Sequence, residues 1–281
     1  MTATAPSGET GSSNLRTRVL SAVVLAPAVL AIAWLGGWPF AGLVGVAAVI
    51  MSMELAALLP GNHGREQVVL GMSGVAAVAL AAAELPLIGL VAGAAGLSFS
   101  LSIRLWRGEP IWPSFLAYPY IVVPLVALVW LRADPAHGRA TIFWLLGMVW
   151  AIDTFAYFAG RGIGGPKLWP RLSPKKTWAG LGGGMVGAAL AGGVTAAWLG
   201  MGSIGLLALA GVFFAVIEQA GDFAESALKR RAGVKDSGKL IPGHGGILDR
   251  VDGLVAVAAA AALVSVLHGG ASAGAGVLIW P

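Results

Sequence analysis

Between Gly221 and Gly253 the chain reads GDFAESALKRRAGVKDSGKLIPGHGGILDRVDG, a stretch holding five of its thirteen acidic and six of its eighteen basic residues. On a helix, Asp222, Ser226 and Lys229 fall at i, i+4 and i+7, so a carboxylate, a hydroxyl and an ammonium share one face. Asp249 and Asp252, at i and i+3, share a face at the start of the last apolar stretch. Pro242 and the glycines up to Gly246 forbid a continuous helix between the two groups, so the chain can fold back and bring them together. Carboxylates converging beside Lys and Arg suit a divalent metal that shares its site with phosphates. Mg²⁺ takes a few carboxylates plus phosphate oxygens, and the basic side chains offset the remaining charge. Gly243, Gly245 and Gly246 allow backbone N–H groups to approach an anion closely, and His244 stands among them as a phosphate donor. For any single Lys or Arg the alternative is a solvated charge that only fixes orientation in a membrane.

A second group, Ser173-Pro174-Lys175-Lys176-Thr177-Trp178, directly precedes a Gly-rich apolar run. Ser173 or Thr177 can cap the following helix, and two lysines at a helix N-terminus make an anion site. The alternative is a basic flank with an interfacial Trp. Three acids, Glu54, Asp153 and Glu218, lie within apolar stretches, where an ionisable group is costly and is a functional candidate by default. Asp153 precedes Tyr157 by one turn and Arg161 by two, which directs it toward the charged clusters, as does the one-turn offset of Glu218 from Asp222. Glu54 is about one turn from its helix end, where snorkelling to the interface explains it equally well. His63, His137 and His268 are isolated.

The elements that must position these residues are set by composition. Of 281 residues 57% are hydrophobic and only 11% charged, with a mean hydropathy of +0.83, which excludes an ordinary soluble domain. Residues 19–53, 85–103, 110–131, 177–217 and 253–281 contain no Asp, Glu, Lys or Arg, and about 20 apolar residues suffice for one crossing. Apolar runs between polar or Pro/Gly breaks predict nine spans, at 17–36, 38–59, 67–83, 85–103, 115–131, 141–160, 178–199, 203–219 and 251–268. Runs of this length cannot be barrel strands, so the expected fold is all-α, a polytopic transmembrane helical bundle.

The basic residues test that count. With the N-terminus placed in the cytoplasm, only Arg132 and Arg139 of the eighteen Lys and Arg fall outside. The expected organisation is a disordered tail at 1–16, N-terminal transmembrane helices at 17–140, and a C-terminal catalytic region at 141–281 whose long cytoplasmic loops are 161–177 and 220–250. A net charge of +5 carried in short inter-span loops speaks for topology and phosphate binding, not for a nucleic-acid partner. The absence of Cys excludes disulfides, Cys-ligated zinc and thiol catalysis. Small residues from Gly182 to Ala197 permit close helix packing, either within a protomer or between the two protomers of a homodimer.

Ser226-Ala-Leu-Lys-Arg, then Lys235-Asp236-Ser-Gly, then Leu-Ile-Pro-Gly-His-Gly-Gly-Ile-Leu-Asp-Arg-Val-Asp252 resembles, without gaps, the signature of the CDP-diacylglycerol synthases, or phosphatidate cytidylyltransferases. Gly221-Asp222, the Ser173 to Trp178 segment and the stretch from Asp153 to Arg161 are also similar to that family's pattern. Ala179 departs from it, since a Glu usually follows the Trp, and Phe155 stands where a small residue is common. The resemblance implies a Mg²⁺-dependent reaction of phosphatidate with CTP that yields CDP-diacylglycerol and pyrophosphate, in a multi-pass protein of the cell membrane with its site at the cytoplasmic face.

On that basis Asp222 and Asp249 are the expected metal ligands, with Asp252 and Asp153 as further ligands. Lys229, Arg230, Lys235 and Arg250 are expected to hold the triphosphate or pyrophosphate, and Lys175 and Lys176 the lipid phosphate or CTP. Asp236 and His244 join the catalytic set, and Ser173, Thr177, Ser226, Gly245 and Gly246 the substrate-binding set. Two rival readings stand beside this one: a transporter for an anionic metabolite, and a CTP-dependent enzyme acting on another lipid, such as an isoprenoid alcohol kinase or a CDP-archaeol synthase. Against the transporter, the charges cluster at one membrane face and no inverted halves are visible.

Overall fold

The computed structural model of the chain describes residues 10–61, 63–200, 203–240 and 245–280. Among the described residues nine long helices follow one another: α1 (Thr10–Leu35), α2 (Gly37–Leu58), α3 (His63–Ala82), α4 (Pro86–Trp106), α5 (Trp112–Ala133), α6 (Gly138–Gly162), α7 (Trp178–Leu199), α8 (Ile204–Arg231) and α9 (Leu248–His268). A four-residue turn of helix, α10 (Ala275–Leu278), follows. The helices α2 to α9 are long and apolar enough to cross a membrane. The chain is a multi-pass helical membrane protein, as the apolar runs predict.

The sequence places the helix ends by familiar means. Pro86 opens α4, where a missing N–H costs nothing. Thr177 and Ser203 cap α7 and α8 by accepting Gly180 and Leu206 N–H at 3.0 and 3.3 Å. Gly200 ends α7 at φ 61°, a left-handed conformation that favours glycine.

Three elements differ from expectation. Helix α1 already begins at Thr10, so residues 10–16 are helical where a tail was expected, and residues 1–9 lie outside the described residues. The expected loop 161–177 contains an antiparallel hairpin of β1 (Lys167–Trp169) and β2 (Ser173–Thr177), with Lys167 opposite Thr177 and Trp169 opposite Ser173. The expected loop 220–250 starts as helix, because α8 runs on to Arg231.

Helices α2 to α5 form one half of the bundle and α6 to α9 the other, and α5 joins them by packing on α9 as well as on α2, α3 and α4. Ile121, Leu131, Met51, Leu55, Met148 and Phe214 are fully buried in the shared core. The small residues of α7 are used within the chain. A Cβ on Gly183 would lie 2.7 Å from the Phe155 carbonyl oxygen of α6, one on Gly187 2.8 Å from that of Ala151, and one on Gly192 2.4 Å from that of Leu207 in α8. Backbones therefore touch on both sides of α7. The ring of Phe155 rests on Gly187, which makes room for it.

At the end of the bundle where α5 meets α6, the chain after α9 turns back. Val277 and Leu278 are fully buried, and Asp134 accepts Gly274 N–H at 2.7 Å and the Ser272 hydroxyl. Burial opposes ionisation of Asp134, but hydrogen bonds from Ser272, His137, Gly274 and Ala136 hold it below the usual carboxylate range. His137 and His268 have structural contacts here, His268 stacking on Trp280 at 4.3 Å.

Candidate functional site

Helix α8 is amphipathic at its end: Glu218, Gly221, Glu225 and Leu228 are buried, and Asp222, Ser226 and Lys229 rise one turn after another beside them. The Ser226 hydroxyl donates to Asp222 Oδ1 at 3.2 Å. Asp222 Oδ2 is paired with Lys176 Nζ, which comes from β2 and lies 5.4 Å from the centre of the Phe223 ring. Across the helix pair, Lys229 Nζ sits 2.6 Å from Asp249 Oδ1 and 2.5 Å from Glu225 Oε2. The charged segments 173–178, 222–229 and 249–252, far apart in sequence, thus converge at one end of the bundle.

Gly221 allows this approach, since a Cβ there would meet the Asp252 carbonyl at 2.9 Å and the Ala256 side chain at 2.6 Å. Asp252 Oδ1 accepts Gly253 N–H at 2.9 Å, and Asp153 on α6 lies within electrostatic range of Lys176, Asp222 and Arg250. Buried Glu218 packs its side chain on Gly253. Tyr120 on α5 brings a buried hydroxyl within electrostatic range of Asp252, Glu225 and Asp222.

Asp249 is the most heavily engaged carboxylate of the group. Its Oδ1 faces Lys229, while Oδ2 accepts Ser237 N–H at 2.9 Å, the Ser237 hydroxyl at 3.0 Å and Gly246 N–H at 2.8 Å. Gly245 takes φ 86°, and a Cβ there would lie 2.7 Å from Asp249 Oδ2, so only glycine fits. Around this centre Arg230, Lys235, Asp236, Arg250 and Lys175 are exposed. Arg230 reaches back toward the Leu172 carbonyl at 3.5 Å, which ties the hairpin to α8. Ser173 is half-buried in β2, and Thr177 is committed to capping α7. His244 and Gly243 lie outside the described residues.

Besides Glu218 and Tyr120, three residues outside the expected set enter this arrangement. Glu225 carried a usable signal, since it precedes Lys229 by four residues on the same helix face. Ser237 bridges carboxylates, and Glu54 of α2, 7% exposed, accepts Ile247 N–H at 2.9 Å and Leu248 N–H at 2.8 Å. No spacing rule links position 54 to 247. Its only signal was an acid inside an apolar stretch.

The chemistry on offer is anionic oxygens beside ammonium and guanidinium groups at one end of a helical bundle. Among the described residues no three Asp, Glu or His side chains are already gathered to hold a metal ion. Asp222, Asp153 and Asp252 nevertheless supply hard oxygen donors, and Mg²⁺ needs only one or two carboxylates with phosphate oxygens and water. The donor set fits that cation.

Comparison with known proteins places the arrangement. The chain is 40% identical over 253 residues to the phosphatidate cytidylyltransferase of Brucella abortus biovar 1 (strain 9-941), covering 88% of this chain and 92% of the relative. It is 34% identical over 173 residues to the phosphatidate cytidylyltransferase of Haemophilus influenzae (57% of this chain, 59% of the relative) and 38% identical over 144 residues to that of Bacillus subtilis (50% and 53%). The family model described as the Cytidylyltransferase family matches residues 16–268, a stretch that runs from α1 through α9 and takes in every charged segment of the site. The chain therefore belongs to the cytidylyltransferase family.

Proposed function

We propose that the chain is a phosphatidate cytidylyltransferase, which joins phosphatidate to the cytidylyl group of CTP in phospholipid biosynthesis. The observation that carries this reading is the convergence of two lysine–aspartate pairs, Lys176 with Asp222 and Lys229 with Asp249, from three separate segments. Family membership and the printed names of the relatives support it.

In this reaction a phosphatidate oxygen forms a bond to the α-phosphorus of CTP, and the bond from that phosphorus to the bridging oxygen breaks, releasing pyrophosphate. Phosphatidate is already ionised near neutral pH, so no general base is required. The protein must chiefly position two polyanions and stabilise charge. Asp222 and Asp249, with Asp252 and Asp153, would hold Mg²⁺, which when bound offsets the phosphate charge. Lys229, Arg230, Lys235 and Arg250 would take the triphosphate, and Lys175 and Lys176 the lipid phosphate or the nucleotide. Gly246 N–H and the Ser237 backbone hold Asp249 in its bearing, and Ser226 does the same for Asp222. The diacylglycerol chains stay in the bilayer and reach the site sideways between helices.

The test is purified protein with radiolabelled CTP, phosphatidate and Mg²⁺. The expected product is lipid carrying labelled cytidine. A lipid phosphorylated without cytidine would favour a kinase, and no labelled lipid at all would favour a transporter.

We propose that the site lies at the cytoplasmic face of the cell membrane; the Lys and Arg distribution supports the cytoplasmic side. Because the chain has no Cys, single cysteines can be introduced without background. In sealed vesicles of known orientation, Ala232→Cys is expected to label from the cytoplasmic side and Ala136→Cys from the other, both positions being exposed. Labelling of both from one side would overturn the placement.

A further inference from the structure

We infer that Glu54, contributed by α2 from the other half of the bundle, is a positioning residue of the nucleotidyl-transfer site, holding the start of α9 and thereby the bearing of Asp249; this rests on the proposed reaction. The first N–H groups of a helix lack partners within it and are usually satisfied by a side chain a few residues upstream. At α9 the N-cap position is Ile247, which has no such side chain. The partner arrives from far away in sequence: Glu54 Oε1 accepts Ile247 N–H at 2.9 Å and Oε2 accepts Leu248 N–H at 2.8 Å. A carboxylate at a helix N-terminus is also favoured by the helix dipole.

Two glycines close on this carboxylate. A Cβ on Gly238 would lie 2.6 Å from Glu54 Oε1, and one on Gly246 2.5 Å from Oε2. No larger residue fits at either place without expelling the Glu54 side chain. Helix α2 itself is anchored by fully buried Met51 and Leu55 on either side of Glu54.

The link to the reacting centre is the Ser237 hydroxyl, which is 3.0 Å from Glu54 Oε2 and 3.0 Å from Asp249 Oδ2. It has one hydrogen for two acceptors. The two carboxylates therefore share a donor, and a change at Glu54 redirects that hydrogen to Asp249. The residue next to Leu248 is Asp249, so releasing the Leu248 N–H also loosens the turn that carries it.

The experiment compares wild type with Glu54→Gln, which keeps the size and one acceptor oxygen, and with Glu54→Asp, which keeps the charge. Hydrogen exchange of peptides covering 245–252 is measured together with kcat, KM for CTP and the Mg²⁺ midpoint. Glu54→Gln is expected to speed exchange in 245–252 and to lower kcat by about tenfold, while peptides of α3 to α5 exchange as in wild type. Glu54→Asp is expected to recover part of both. Combining Glu54→Gln with Ser237→Ala should be far from additive, because the two share one hydrogen bond. Unchanged exchange in 245–252, exchange raised throughout the bundle, or local loosening with unaltered kcat and Mg²⁺ midpoint would each overturn the inference. A wild type that makes no lipid-linked cytidine overturns the proposed reaction instead, and the exchange arm then still decides whether Glu54 holds the start of α9.

Discussion

Turnover is expected to fall by about a hundredfold or more in Asp222→Asn and likewise in Asp249→Asn, since losing a few kcal/mol of charge stabilisation removes about a factor of ten per 1.4 kcal/mol. Asn keeps the size and one acceptor oxygen but not the charge that attracts a hard cation. Both carboxylates lie on the same small cluster, Asp222 paired with Lys176 and Asp249 with Lys229. If they act through one metal, the double variant is expected to be little worse than the worse single variant. The Mg²⁺ midpoint should move to higher concentration in each. The structure also supplies a competing outcome, because each Asp already has an ammonium partner. Were ion pairing its only role, Asn would lower thermal stability and leave the Mg²⁺ requirement where it is. Turnover against Mg²⁺ concentration in detergent-purified protein of verified fold separates the two. Near wild-type rates with an unshifted midpoint would remove that residue from the site.

Lys229→Met is expected to be the most destabilising single change in the charged cluster. The Lys229 side chain is 13% exposed and serves two carboxylates that are nearly inaccessible, Glu225 at 1% and Asp249 at 5%. Removing the shared cation leaves Asp249 without its ammonium beside the buried Glu225 carboxyl, and breaking a buried pair in this way costs about 3 to 5 kcal/mol. A lowered thermal midpoint in detergent and loss of turnover should appear together. Adding Glu225→Gln should then restore part of the midpoint, because its amide N–H can donate to the stranded Asp249 carboxylate, without restoring turnover. An unchanged midpoint in Lys229→Met, or no recovery on adding Glu225→Gln, would show that the ammonium is not what holds these two carboxyls together.

What the sequence made legible was local in character. Helical spacing placed Asp222, Ser226 and Lys229 on one face of α8, and the Ser226 to Asp222 hydrogen bond bears out that geometry. It also set Asp249 and Asp252 at the start of α9. Hydropathy located the spans, but it reports where apolar residues stop, not where a helix stops. That is why α8 continues twelve residues beyond its expected span end at 219, through the good helix formers Ala227, Leu228, Lys229 and Arg230, and why α1 starts early. The hairpin at 167–177 escaped notice because strands of three and five residues are too short to show a period of two. The spacing left Ser173 and Thr177 equal as caps for α7, and only the fold assigns that role to Thr177. The role of Glu54 depends on a contact across nearly two hundred residues, which only the assembled bundle reveals.

Helix α7 can be seen as a shim of fixed thickness. It lies between α6, which carries Asp153, and α8, which carries Glu218 and Asp222, and it touches both through backbone atoms at Gly183, Gly187 and Gly192. A gap set by side chains can relax when a rotamer changes, whereas one set by main chain against main chain has no torsion left to adjust. The separation of the acids on α6 from those on α8 is therefore a property of residues that have no side chains. Tolerance to substitution along α7 should follow this division: the exposed Val186, Leu190 and Val194 are expected to vary more freely than the contact glycines, which are held to a single size.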